Sequence, residues 1–330
     1  MHRSGRRFRL FTLTILTIVF FSACVGSTSQ NLDQSTELLS VDCRIVEHSL
    51  GKTCVPLEPR RVVALDGATV GNLLALGMMP AGVASNLLPE ITRLIPNVPR
   101  LGQSSQINLE TLAVLQPDLI IGAVWEMKGI YNKLSAIAPT VAFEMQTPAD
   151  WQRPFRFDGQ VLGLETQAEK VLEQYQMRVN KLRAQVSDSP LQISLVRIRA
   201  ESGQMSLYLK NCFGGAILAD LGFARPPSQD QGTPDQPPFA KSISRESMTE
   251  ADGDVIFLFT FGHTPQIAAA AEAQLERLDT DPLWQSLGAV QKNRVYSVGH
   301  YWGAGNSPLA ADWVLDDVEQ YLLEVPGNGV

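Results

Sequence analysis

Two arginines set two residues apart, Arg197 and Arg199, close an apolar run at 192–199 that reads as a β-strand. Side chains at i and i+2 of a strand leave the same face, so the two guanidinium groups sit side by side. Such a pair suits a carboxylate-bearing or polyanionic ligand, because each planar fork makes charge-assisted and often bidentate bonds. An ion-paired edge of the sheet would use the same two residues. Tyr208, on the next apolar run, offers a hydroxyl donor, and Tyr301 follows a later strand. Trp125 and Trp302 could lie flat against a large chelate, although core packing is the commoner fate of a tryptophan. Other polar and aromatic residues that follow strands are Asp66, Glu126, Glu144, Phe261, His263 and His300.

An enzyme would need more than this. There is no G-x-S-x-G, no H-E-x-x-H, no phosphate-binding P-loop and no G-x-G-x-x-G opening a helix after a strand. Past residue 24 only His48, His263 and His300 remain, with no close spacing between any two. The chain therefore reads as a binding module with no metal and no cofactor of its own, its histidines neutral and satisfied.

The elements that must position these residues alternate. Apolar strands at 61–65, 81–84, 118–122 and 140–143 are separated by helical stretches at 68–76, 108–115 and 130–137. The alternation restarts with strands at 192–199, 205–209, 254–260 and 294–298, and helices at 213–221, 265–278 and 309–323. Between the two sets, Val161, Leu164, Ala168, Val171, Leu172, Tyr175, Val179, Leu182 and Val186 recur at helical spacing. The pattern predicts an α/β protein of two lobes, each a mostly parallel sheet flanked by helices, joined by one long rigid helix over 157–187 of about 45 Å. The lobes then span 59–156 and 188–330. In parallel sheets ligands gather beyond the carboxyl ends of the strands, which is where the residues above fall.

The first 24 residues carry four arginines, an apolar run at 10–21 too short to span a bilayer, and Ser22-Ala23-Cys24. This is an export signal, and its end resembles a bacterial lipoprotein box in which Cys24 becomes the lipidated first residue. An ordinary signal peptide cut nearby, or a retained anchor, are the alternatives. Polar residues 25–40 read as a flexible tether, and the tether with the following loop extends to 58. Cys43 and Cys54 flank a short polar segment, and in an exported chain they read as a local disulfide contributing roughly 2 to 3 kcal/mol. Cys212 is left over and reads as a small buried residue. A net charge of −7 without a basic stripe argues against nucleic acid as a partner.

From residue 61 onward the chain resembles the helical-backbone class of ABC-importer binding proteins, which serves ferric siderophores, haem and cobalamin. The matching segments are Arg61-Val-Val-Ala-Leu65, Asn72-Leu-Leu-Ala-Leu-Gly77, Asn108-Leu-Glu-Thr-Leu-Ala-Val-Leu-Gln-Pro-Asp-Leu-Ile-Ile121, residues 131–141, Ile243-Ser-Arg-Glu246 and Pro308-Leu-Ala-Ala311. The resemblance implies two lobes with a ligand held shallowly between them and little closure. It also implies one surface glutamate per lobe, Glu110 and Glu246, docking on permease arginines. A helix N-terminus would favour either carboxylate in any case. Within the class the arginine pair, the Cys43–Cys54 loop and Tyr301-Trp302 look most like binders of hydroxamate or citrate-type ferric siderophores. The iron would arrive already chelated. The implied partners are that chelate, a permease with its ATPase, and a membrane held through the lipid on Cys24. The implied setting is the periplasmic or cell-surface side of the membrane, with the protein a monomer. Haem or cobalamin on the same scaffold is the nearest alternative; an exported α/β enzyme is a more distant one.

Overall fold

A computed structural model of the chain describes residues 42–103, 106–186, 191–200, 202–232, 238–260 and 265–323. The export signal, Cys24, the tether, Phe261 and His263 lie outside the described residues.

The polar stretch expected to be a loop is a β-hairpin. Cys43–His48 (β1) pairs antiparallel with Gly51–Pro56 (β2), and the Cys43–Cys54 disulfide joins the strands at a Cα separation of 5.5 Å. Its turn is not free: Ser49 N donates to Ala142 O at 3.1 Å and Thr53 Oγ1 to Thr140 O at 2.9 Å. The hairpin therefore belongs to the first lobe rather than to the tether.

That lobe contains Val62–Ala64 (β3), Gly67–Ala75 (α1), Gly82–Val83 (β4), Pro89–Leu94 (α2), Leu109–Val114 (α3) and Leu119–Ala123 (β5). Val124–Met127 (α4), Tyr131–Ser135 (α5) and Thr140–Phe143 (β6) complete it. The sheet order is β4-β3-β5-β6, parallel throughout. Every strand residue is buried, which is why these strands read as unbroken apolar runs rather than as alternation.

The single helix predicted over 157–187 is two helices, Gln152–Leu162 (α6) and Glu165–Arg183 (α7). Gly163 ends the first in the left-handed conformation (φ 71°), and Leu164 N returns to Gly159 O at 2.8 Å. Apolar residues keep helical spacing through this break because both helices bury the same side, so the pattern concealed the stop. The remaining 19-residue strut is about 28 Å long.

The second lobe holds Ile193–Ile198 (β7), Met205–Tyr208 (β8), Phe213–Asp220 (α8), Ala240–Ile243 (β9) and Val255–Phe259 (β10). Pro265–Asp279 (α9), Pro282–Gln285 (α10), Gly288–Gln291 (α11), Val295–Ser297 (β11), Tyr301–Ala304 (α12) and Pro308–Val318 (α13) follow. In the order β11-β10-β7-β8-β9 the first three strands are parallel, while β8 and β9 pair antiparallel. The connection from β7 to β8 is too short to hold a crossover helix and instead closes as a hairpin, Gly203 N donating to Arg199 O at 2.8 Å.

One apolar core runs through both lobes. It includes Val62, Val70 and Leu73 of the first, Leu172, Tyr175 and Val179 of the strut, and Leu195, Phe257 and Val314 of the second. Arg178 ties the strut to α13, donating to Asp316 at 2.5 Å and to Glu319 at 3.2 Å. A shared core of this kind resists large lobe rotation, since close-packed interiors do not deform continuously.

Candidate functional site

A cavity of about 230 Å³ opens where the carboxyl ends of the first sheet face the segment after β11. Its first-lobe wall comes from Asp66 after β3, Ser85 and Asn86 after β4, Trp125 and Glu126 after β5, and Met145 with Phe143 at the end of β6. Across from these stand His300, Ala304 and Asn306.

Asp66 positions two of the strand ends. It caps α1, taking bonds from Thr69 N at 2.8 Å and Thr69 Oγ1 at 2.9 Å, and it also accepts from Ala123 N at 2.9 Å. Burial raises its carboxyl above the ordinary range against the pull of those donors. Trp125 is 54% exposed and packs edge-on against Phe143, with ring centroids 6.4 Å apart. Its indole N–H donates to Glu126 Oε1 at 3.1 Å. Partial burial, and then the charge of Asp66, push the Glu126 carboxyl upward, while the indole bond acts in the opposite sense.

The second lobe supplies the cationic side. Arg197 follows Ile193 and Leu195 on the core-facing side of β7, in register with Phe259 on β10 and Ser206 on β8. Its guanidinium donates to the Tyr208 hydroxyl, and its Nε is buried with no acceptor among the described residues. Tyr208 is itself buried, its ring 5.0 Å from that of Phe259, and it does not line the cavity. Arg199 lies one residue past β7 in the turn to β8; it is exposed, yet its charge still reaches Tyr208. Neither arginine lines the cavity directly; Arg197 lies behind its wall, where its charge acts on His300. Burial, and then the charge of Arg197, push the His300 imidazole down to about 3, so that ring is neutral at physiological pH. The positive charge on this side belongs to the arginines alone among the residues named.

Of the six expected ligand contacts only Trp125 lines the cavity, and Tyr301 and Trp302 are turned away from it. Trp302 is fully buried, packs at 4.6 Å on Phe257, and donates its Nε1 proton to Asp317 Oδ2 at 2.7 Å. The Tyr301 hydroxyl donates to the same oxygen at 2.7 Å, and its ring rests 5.4 Å from Trp313. The cause is helical: residues 300 and 304 share the cavity face of the turn, which turns 301 and 302 toward α13. A strand-end motif was expected to present all three of His300, Tyr301 and Trp302, and the turn presents only the histidine. Ser85, Asn86, Met145 and Asn306 carry no sequence signal beyond their place just after strands or in the α12–α13 turn. Glu144 is exposed, and Met145 lines the cavity in its stead. Cys212 is buried as expected and caps α8, its Sγ accepting from Gly215 N at 3.2 Å.

The model of the family described as "Periplasmic binding protein" matches residues 62–301. The chain belongs to this family. Among its relatives, the "Probable siderophore-binding lipoprotein YfiY" of Bacillus subtilis is 30% identical, over 94% of this chain and 96% of that one. The "Achromobactin-binding periplasmic protein" of Dickeya dadantii is 29% identical, over 85% and 93%. Among solved structures, Staphylococcus aureus SirA complexed with staphyloferrin B superposes with a TM-score of 0.72 at 26% identity, covering 84% of this chain and 98% of that one. The matched span begins at β3 and ends at Tyr301, so it contains every strand end that forms the cavity.

Proposed function

We propose that this chain is the extracytoplasmic binding component of an ABC importer, capturing a citrate- or hydroxamate-type ferric siderophore and delivering it to a permease. The observation that carries this is the cleft itself: the strand ends of the first sheet face the turn after β11 of the second across one cavity, with an exposed tryptophan on one side and, on the other, His300 with Arg197 behind it. Such a surface can hold a bulky, negatively charged chelate from two sides without performing chemistry on it. The relative named as a siderophore-binding lipoprotein supports the assignment, as does that named as an Fe(3+)-citrate-binding protein of Bacillus subtilis. The iron is cargo, and the protein supplies orientation. Cys24 would carry a lipid that keeps a monomeric carrier at the outer face of its membrane.

Titration of the soluble chain, begun after Cys24, tests this with ferric citrate, a ferric citrate-hydroxamate, ferrichrome, a ferric catecholate, haem and cobalamin. Trp125 is the natural reporter, since it alone of the five tryptophans lines the cavity; Trp151, Trp284 and Trp302 are buried and Trp313 is half-buried on α13. Saturable quenching by a carboxylate- or hydroxamate-type ferric chelate is the expected result. Binding of haem or cobalamin alone, or of nothing, overturns the proposal.

Permease docking falls to Glu110 and Glu246. Each is exposed in the first turn of its helix, Glu110 on α3 and Glu246 in the 3-10 turn Arg245–Ala251. Bonds from its own backbone N–H and from Ser244 hold Glu246 below the usual carboxylate range, so it stays ionised. Its neighbour Arg245 is engaged by Asp281 at 2.6 and 2.9 Å, leaving Glu246 available for a cation on a partner. Val114, 80% exposed and four residues after Glu110 on α3, places an apolar side chain beside the first knob. Glu110→Arg and Glu246→Arg are each expected to cut uptake in proteoliposomes containing the permease by at least about tenfold, because like charges then meet. The chelate's dissociation constant should not change. Unimpaired uptake in both variants would remove the docking role.

A further inference from the structure

We infer that the cleft is two-sided in charge and selects a ferric carboxylate chelate that also carries a protonated amine, with Glu126 and Trp125 receiving the amine. The inference rests on the siderophore-carrier proposal and narrows its ligand class. Glu126 is a half-buried carboxylate on the cavity wall, and among the described residues the charge acting on it is another carboxylate, Asp66. No cation of the chain answers it among those residues. The two acids differ in what they have left to offer. Asp66 already accepts three bonds from Thr69 and Ala123, whereas Glu126 takes one, from the Trp125 indole.

A purely anionic chelate would be repelled by this wall, yet Arg197 lies behind His300 on the other side. A ligand with carboxylates toward the Arg197 side and an ammonium toward Glu126 satisfies both. The aromatic neighbour strengthens the assignment, since the face of a tryptophan attracts an ammonium group. Trp125 is exposed and held edge-on by Phe143, which leaves ring surface available beside the carboxylate. Carboxylate and indole together form an ammonium subsite on a cavity wall that also carries Leu88, Ile91 and Met145.

The test uses ferric citrate and the iron(III) complex of a polycarboxylate ligand bearing one primary amine, with its N-acetyl and N,N-dimethyl forms. Acetylation removes the charge, while dimethylation adds comparable bulk and keeps it. The wild-type chain should bind the amine and dimethyl forms at least about tenfold more tightly than the acetyl form, as expected for one charge-assisted contact. In Glu126→Gln that ratio should fall to near one, while ferric citrate binds more tightly because a repelling charge is gone. A melting curve like that of the wild type shows that the variant is folded. Equal binding of all three forms by the wild type overturns the ammonium subsite and leaves the carrier function standing, as does an unchanged ratio in the variant. Failure of every ferric chelate to bind overturns both.

Discussion

Arg197→Ala is expected to raise the dissociation constant for a carboxylate-bearing ferric chelate by about 10- to 100-fold, the loss of one charge-assisted contact in a partly desolvated place. The guanidinium is held against Tyr208 on the core-facing side of β7, and its Nε has no acceptor among the described residues. It is thus oriented before the ligand arrives. Arg199 makes the contrast. It is exposed in the turn past the strand, where solvent screens its charge, so Arg199→Ala should weaken the same chelate by only about two- to fivefold. Arg197→Lys should fall between wild type and Arg197→Ala, because a single ammonium cannot reproduce a planar fork. Titration by tryptophan quenching at two salt concentrations decides the matter. If both alanine variants lose the same small factor, and that factor disappears at high salt, the arginines act as a diffuse field and Arg197 is not a ligand contact.

The lobes were legible because parallel strands buried on both faces are nearly pure apolar runs, and β3, β5, β6, β7 and β10 all announce themselves in this way. Short edge strands do not: β9 has one buried residue in four and went unread, and the hairpin of β1 and β2 has two in twelve and passed for loop. Gly163 hid inside a continuous apolar stripe, since periodicity reports which side is buried and not whether the backbone turns. The cleft followed the same division. The strand-end rule brings Asp66, Trp125, Glu126 and His300 to the cavity wall, because it depends only on topology, and it leaves Arg197 behind His300. It failed for Tyr301 and Trp302, where a helical turn begins at once after His300 and sorts consecutive residues onto different faces. No spacing argument reaches Glu126 as a distinct subsite, because what sets it apart is partial burial beside a second carboxylate.

Trp302 offers the largest expected effect on stability and a direct check on that sorting. Its ring fills space between Phe257 and Gly214, whose Cα lies so close that an added methyl would meet the indole at 2.8 Å. Trp302→Ala should therefore destabilise the chain by about 3 to 5 kcal/mol, the sum of lost transfer energy and the cavity left behind. Trp302→Phe keeps most of the packing and removes the bond to Asp317, a partly buried carboxylate that would then retain only the Tyr301 hydroxyl. About 1 to 3 kcal/mol is expected for that loss. Urea unfolding measures both values. In Trp302→Phe, the affinity of the folded protein for its chelate should stay within a factor of two of wild type, because no atom of Trp302 reaches the cleft. Trp125 remains as the optical reporter, so binding and folding are read in the same samples. A variant that unfolds at the wild-type urea concentration yet binds tenfold more weakly would return Trp302 to the ligand site and show that α12 rearranges when the chelate arrives.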